Sequence, residues 1–241
     1  MNTNSKFKTQ NLNLRGAFTL IELLTVIAVI AIIAALLFPA FNAVKNRSTI
    51  NAVTGQMHQL EASIDAYHAK YGYYPPGNAN ANGANLAPAL TNQLYYELGG
   101  TTADPQGQIF TNLDESGYLS TATISSTFGV SGFMNCTKGT GEDAATAKNF
   151  LPGLKPGQIA TNGGGDGVFV IVTSINSGVG YQPMRGFNSR DGINSANPWR
   201  YLYPGVNNPT TYDLWIQIIV AGKTNLICNW KDTPSINSSQ P

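Results

Sequence analysis

Apolar residues follow three different rhythms along this chain. From Phe18 to Phe41 (FTLIELLTVIAVIAIIAALLFPAF) they run almost unbroken, 24 residues with a single charge, Glu22. At about 1.5 Å per residue a helix of that length reaches roughly 36 Å, enough to cross a bilayer core of about 30 Å. From Ile50 onward the apolar positions fall at alternating steps of three and four: Ile50, Val53, Met57, Leu60, Ile64, Tyr67 and Tyr71. Lys45, Asn46, Arg47, Gln59, Glu61, Asp65 and Lys70 occupy the opposite face, so the spacing predicts an amphipathic continuation of the same helix. One helix from Phe18 to Tyr71 would be about 80 Å long, and its C-terminal stripe must be buried against something later in the chain. Gly55 is a weak point, costing about 1 kcal/mol relative to Ala. Tyr73-Tyr74-Pro75-Pro76-Gly77 ends the helix, because proline lacks an N–H and disfavours helix in the residue before it.

Asn78–Asn85 reads as a loop, and Leu86–Leu98 as a short helix stopped by Gly99-Gly100. From Thr101 to Gly167 turn chemistry dominates and no period is sustained. The third rhythm is β: Val168–Ile175, Trp199–Tyr203, Tyr212–Val220 and Thr224–Trp230, with Ala221-Gly222-Lys223 as a three-residue hairpin loop between the last two. One face of that sheet would cover the helix stripe. The fold class is α+β, divided into a basic leader (1–17), a membrane-length helix (18–41), its amphipathic continuation (42–74), an irregular region with a short helix (75–167) and an antiparallel β region (168–241).

Charge sharpens this division. Lys6, Lys8 and Arg15 give residues 1–17 a local +3 with no acid, whereas the whole chain carries +1, so the remainder stands at −2. A basic leader ahead of an apolar span stays in the cytoplasm, which places everything after the span across the membrane. With 14 basic side chains, 13 acidic ones and no basic patch, the chain is not a nucleic-acid binder. An ordinary secretory signal cut near Ala40 or Ala43 is a rival, but its apolar run would be about 7–15 residues and would lack Glu22.

Glu22 needs an explanation, since a carboxylate in an apolar span is costly and such residues are usually functional. It lies near the cytoplasmic end, where it could reach headgroup water. Cleavage between Ala17 and Phe18 gives a second reading, with Phe18 as a new N-terminal amine and Glu22 as the fifth residue. An amine and a carboxylate on neighbouring copies of this helix would neutralise each other in lipid.

The run Gly16-Ala17-Phe18-Thr19-Leu20-Ile21-Glu22-Leu23-Leu24 resembles the leader and mature N-terminus of type IV pilins and type II secretion pseudopilins. The resemblance implies that a prepilin peptidase cuts after Ala17 (the family usually has Gly there) and N-methylates Phe18. It further implies that Glu22 sets subunit register in a filament and that Pro39 is the family's helix proline. The fold it implies is type IV pilin-like, a long N-terminal helix packed on a small C-terminal antiparallel sheet. Asn197-Pro198-Trp199-Arg200-Tyr201-Leu202-Tyr203-Pro204-Gly205, followed by Tyr212-Asp213-Leu214-Trp215, is similar to the major (G-type) pseudopilin of type II secretion. The partners implied are the peptidase, like subunits and the inner-membrane assembly machinery, with the C-terminal domain in the periplasm.

In that family an acidic loop after the Asp-Leu strand usually binds calcium. Here Ile216–Lys223 has no carboxylate, and Asp191, Asp213 and Asp232 are scattered, so no calcium and no other cofactor is expected at that position. Cys136 and Cys228 would both lie outside the cytoplasm, either bridged or as two buried free thiols. His58 and His68 lie ten residues apart on the helix and read as solvated. No nucleophile elbow, zinc-protease or phosphate-loop motif is present, and the expectation is a structural subunit with no catalytic residues. Three readings stand: a secretion pseudopilin, a type IV pilus pilin, or a tethered extracytoplasmic binding domain that never polymerises.

Overall fold

The structure is a computed structural model in which residues 19–138, 146–175, 184–189 and 195–236 are described. Two compact units divide the chain, residues 1–45 and 46–241, and one helix, α1 (Leu20–Tyr71), runs through the boundary. In the first unit α1 buries none of its large apolar side chains: Leu20 through Val44 are all exposed. Pro39 lies inside α1, which continues across it.

In the second unit the predicted stripe is the core. Val53, Met57, Leu60, Ile64 and Tyr67 are buried, with Ile50 and Tyr71 packed at the margin. The helix ends at Tyr71 rather than in the Tyr-Pro run. Gly72 takes a left-handed φ of 81° and donates its N–H to the His68 carbonyl at 2.8 Å, a glycine C-cap that acts before the prolines are reached. The chain beyond is pinned back by Tyr201, whose hydroxyl donates to the Pro75 carbonyl at 2.7 Å, and by Gln93, whose amide donates to the Gly77 carbonyl at 2.6 Å.

The predicted 86–98 helix is two pieces, a 3-10 turn (Ala87–Leu90) and α2 (Leu94–Gly99), broken where the Asn92 amide donates to the carbonyls of Ala89 and Trp199. Residues 101–137 are not irregular. They hold β1 (Thr101–Ala103), β2 (Ile109–Asn112), β3 (Tyr118–Ser120), α3 (Thr121–Phe128) and β4 (Cys136–Thr137), in the sheet order β3-β2-β1-β4 with β4 parallel to β1. Strands of two to four residues are too short to show a period. The signals for α3 were its caps: the Ser120 hydroxyl accepts the Thr123 N–H, and Gly129 is left-handed.

Next come β5 (Ile159–Thr161), β6 (Phe169–Ile171), β7 (Met184–Arg185) and β8 (Asn188–Ser189); β5 pairs with β6 and β8, and β7 pairs with β9 (Ser195–Ala196). The last sheet runs β10 (Arg200–Leu202), β11 (Asp213–Val220), β12 (Lys223–Cys228) and β13 (Ser235–Ile236), antiparallel throughout. Val220 pairs directly with Lys223, so the β11–β12 turn has two residues, not three. Ala221 (φ 51°) and Gly222 (φ 74°) are both left-handed, the geometry that matches strand twist in a tight hairpin. Leu214, Ile216, Ile218 and Ile227 of this sheet join the α1 stripe in one core, and the fold is α+β of the pilin-like kind.

Candidate processing and assembly segment

Gly16, Ala17 and Phe18, the residues assigned to cleavage and methylation, lie outside the described residues, as do the leader and Asp191. The description begins with Thr19, and it shows what holds Glu22. The Glu22 carboxylate accepts the Thr19 N–H (2.8 Å) and hydroxyl (2.7 Å), while the Thr19 hydroxyl accepts the Glu22 N–H at 3.3 Å. The two residues thus satisfy each other's orphan groups in a capping box at the start of α1. Thr-x-x-Glu before an apolar run carried this signal in the sequence. Around this cap α1 presents apolar side chains in every direction, and it is long and apolar enough to cross a membrane.

His58 is exposed and its Nδ1 lies 2.7 Å from a Glu61 oxygen; His68 stacks on Tyr74 with ring centres 4.3 Å apart. Among the described residues no three His, Cys, Asp or Glu side chains converge as a metal set. Cys136 and Cys228 are buried free thiols. They belong to separate sheets and separate apolar clusters, so the bridge gives way to its alternative. Burial pushes both thiols above the ordinary cysteine range.

Asp213, scattered in the sequence, is the organiser of its own loop. Fully buried at the start of β11, it accepts the N–H groups of Val206 (2.8 Å), Asn207 (2.8 Å) and Asn208 (3.0 Å) and the Asn207 amide at 3.1 Å. Gly205 is required beside it, since a Cβ there would stand 2.6 Å from an Asp213 oxygen. The flanking Pro-Trp and Asp-Leu segments are neighbours in space, with Arg200 opposite Trp215 and with Trp199 and Trp215 buried.

Sequence reasoning missed a buried polar hub. Glu97 of α2 is fully buried and accepts the Tyr67 hydroxyl (2.9 Å) and the N–H groups of Met134 (2.9 Å) and Asn135 (3.0 Å). Asn135 donates to the carbonyls of Glu97 and Lys148, both at 2.7 Å, and accepts the Tyr71 hydroxyl at 2.7 Å. Burial raises the Glu97 pKa against the pull of those three donors, and it raises that of Tyr67 as well. A lone Glu inside a Leu-Tyr-Tyr-Glu-Leu run gave no periodic sign of this.

Comparison with known families matches residues 12–38 to the prokaryotic N-terminal methylation motif. No curated protein matches the chain, and no solved structure does. The motif is of the prepilin type and marks its bearer for the prepilin peptidase and for pilin-type assembly. Its span takes in Gly16, Ala17, Phe18 and Glu22 and runs to the residue before Pro39.

Proposed function

We propose that this chain is the precursor of a filament subunit, cut between Ala17 and Phe18 and N-methylated at Phe18 by a prepilin peptidase. The mature subunit waits in the inner membrane as a single-pass protein with its C-terminal domain in the periplasm. It then enters a helical filament in which Glu22 of one copy meets the Phe18 amine of a neighbour. The observation that carries this reading is a coincidence of two features: the methylation motif at residues 12–38 overlies the part of α1 whose large apolar side chains are all exposed. Membrane lipid covers such a helix before assembly, and like helices cover it afterwards. A filament brick has no use for a catalytic site, and we assign none.

Within this class we favour a type II secretion pseudopilin over a pilus pilin, on the similarity of residues 197–205 and 212–215 to the major pseudopilin. The Thr19–Glu22 capping box supports a second reading, since it gives Glu22 a use inside a single chain and a tethered, non-polymerising domain would need no more. Intact mass and N-terminal peptide mass spectrometry of the membrane-extracted protein test the processing step. A chain starting at N-methylated Phe18 supports the filament subunit; a chain starting at Met1 or near Ala43 overturns it.

A further inference from the structure

The second unit carries a groove whose walls make little polar demand. Gln56, Gln59, Leu60 and Ser63, spaced three and four apart, form one wall along a side of α1, with the exposed Ala62 at the rim. The loop from Phe150 to Leu154 forms the other wall, and the space between is about 310 Å³. Polar side chains in the helix wall are turned to the protein itself. The Gln56 amide donates to the Ser174 hydroxyl and accepts that of Thr173, both at 2.8 Å, and Ser63 donates to the Gln59 carbonyl at 3.0 Å. The loop is self-contained as well: Phe150 donates its N–H to the Leu98 carbonyl, Leu151 to the Asn149 side chain and Leu154 to the Leu151 carbonyl, while Pro152 has no N–H. Yet Leu151 and Leu154 are only partly buried, and no charged residue lines the groove.

An occupant of such a groove must be apolar, uncharged and already satisfied in its own backbone hydrogen bonds. An extended peptide fails on the last count, because no strand edge lines the groove to pair with its N–H and C=O groups. A helix bonds its own backbone and presents only side chains. The space is at the low end of the roughly 300–1,000 Å³ of ligand clefts, room for side chains from a helix but not for the helix. The chain itself carries a helix of this kind. Between Leu23 and Val44 α1 holds no charge, and its large apolar side chains are exposed. We propose that the groove is the docking site for apolar side chains of the Leu23–Val44 segment of a second copy in the filament. Leu151 and Leu154, half-buried in the single subunit, are covered there. This rests on the filament reading above and adds a contact that Glu22 and the Phe18 amine do not make.

Ala62→Trp, made in the full-length chain in its native membrane, tests this. Ala62 is exposed, so the denaturation midpoint of the second unit should keep its wild-type value while the indole blocks the rim of the groove. Sedimentable filament is expected to fall about tenfold or more. Ala69→Trp, also exposed on α1 but outside the groove, should keep the wild-type yield. A photoreactive p-benzoylphenylalanine in place of Pro152 should give dimers whose cross-linked peptide lies within residues 23–44 of the other copy. Wild-type yield in Ala62→Trp, equal loss in Ala69→Trp, or cross-links only to lipid or to other segments overturns the groove while wild-type filaments still stand. Absence of filaments in the wild type overturns the filament reading itself, and the groove with it.

Discussion

Thr19 and Glu22 cap one another, each filling a hydrogen-bonding position that the first turn of α1 leaves open. After cleavage at Ala17/Phe18 this box would sit one residue from the new terminal amine. The carboxylate is then held in one rotamer before it meets the amine proposed for a neighbour, and it is spared the cost of a free rotamer search. Substitution separates the two uses of Glu22. Thr19→Ala removes the cap but leaves the carboxylate, and filaments should still form at reduced yield. Glu22→Ala should insert in the membrane and be processed normally, yet give no filament by sedimentation. Equal loss in the two variants would mean that Glu22 is only a cap.

The two halves of α1 should respond oppositely to truncation of an isoleucine. Ile64 is fully buried in the second unit, and Ile64→Ala is expected to cost about 2–5 kcal/mol in unfolding. Ile30 is 59% exposed, and Ile30→Ala should shift the unfolding of the second unit by less than about 0.5 kcal/mol. Denaturant titration of both variants checks the pair.

Asp213→Ala would strip three backbone N–H groups of their acceptor at once. The expected loss is on the order of 2–4 kcal/mol, with new proteolytic cleavage in residues 205–211. Chelation of calcium, by contrast, should leave the melting temperature unchanged, because the Asp213 oxygens already accept those N–H groups.

Stability should depend on pH through Glu97. Its pKa in the fold is raised above the unfolded reference of 4.5, chiefly by burial. The folded state therefore holds the proton more tightly, and the resulting stabilisation is complete below that reference and lost as pH rises through the folded value. Denaturation midpoints of the wild type should fall across that window, while those of Glu97→Gln should not.

Both thiols should resist alkylation under native conditions and react on unfolding, and gel mobility should be the same with and without reductant. Protection of Cys136 and Cys228 without reductant sensitivity would match two buried free cysteines.

The parts of this fold legible in the sequence are those where one physical demand repeats over many residues. The α1 stripe repeats seven times from Ile50 to Tyr71, and β11 is eight residues of nearly unbroken apolar and aromatic character, so both were readable. β1 to β4 hold two to four residues each and are positioned by partners distant in sequence, such as the Thr101–Cys136 parallel pair, which no local pattern encodes. The same holds at the sites. Glu22 stood out as the sole charge in a largely apolar run of 24 residues, whereas Glu97 and Asp213 look ordinary until the chain folds around them.

The loop of Val206, Asn207 and Asn208 draws its shape from a carboxylate supplied by the next strand of the same chain. A domain built this way carries the anchor for that corner within its own chain. Its completion is then set by the docking of β11 and not by the mineral content of the surroundings, so the loop should form equally well in dilute fresh water and in brine.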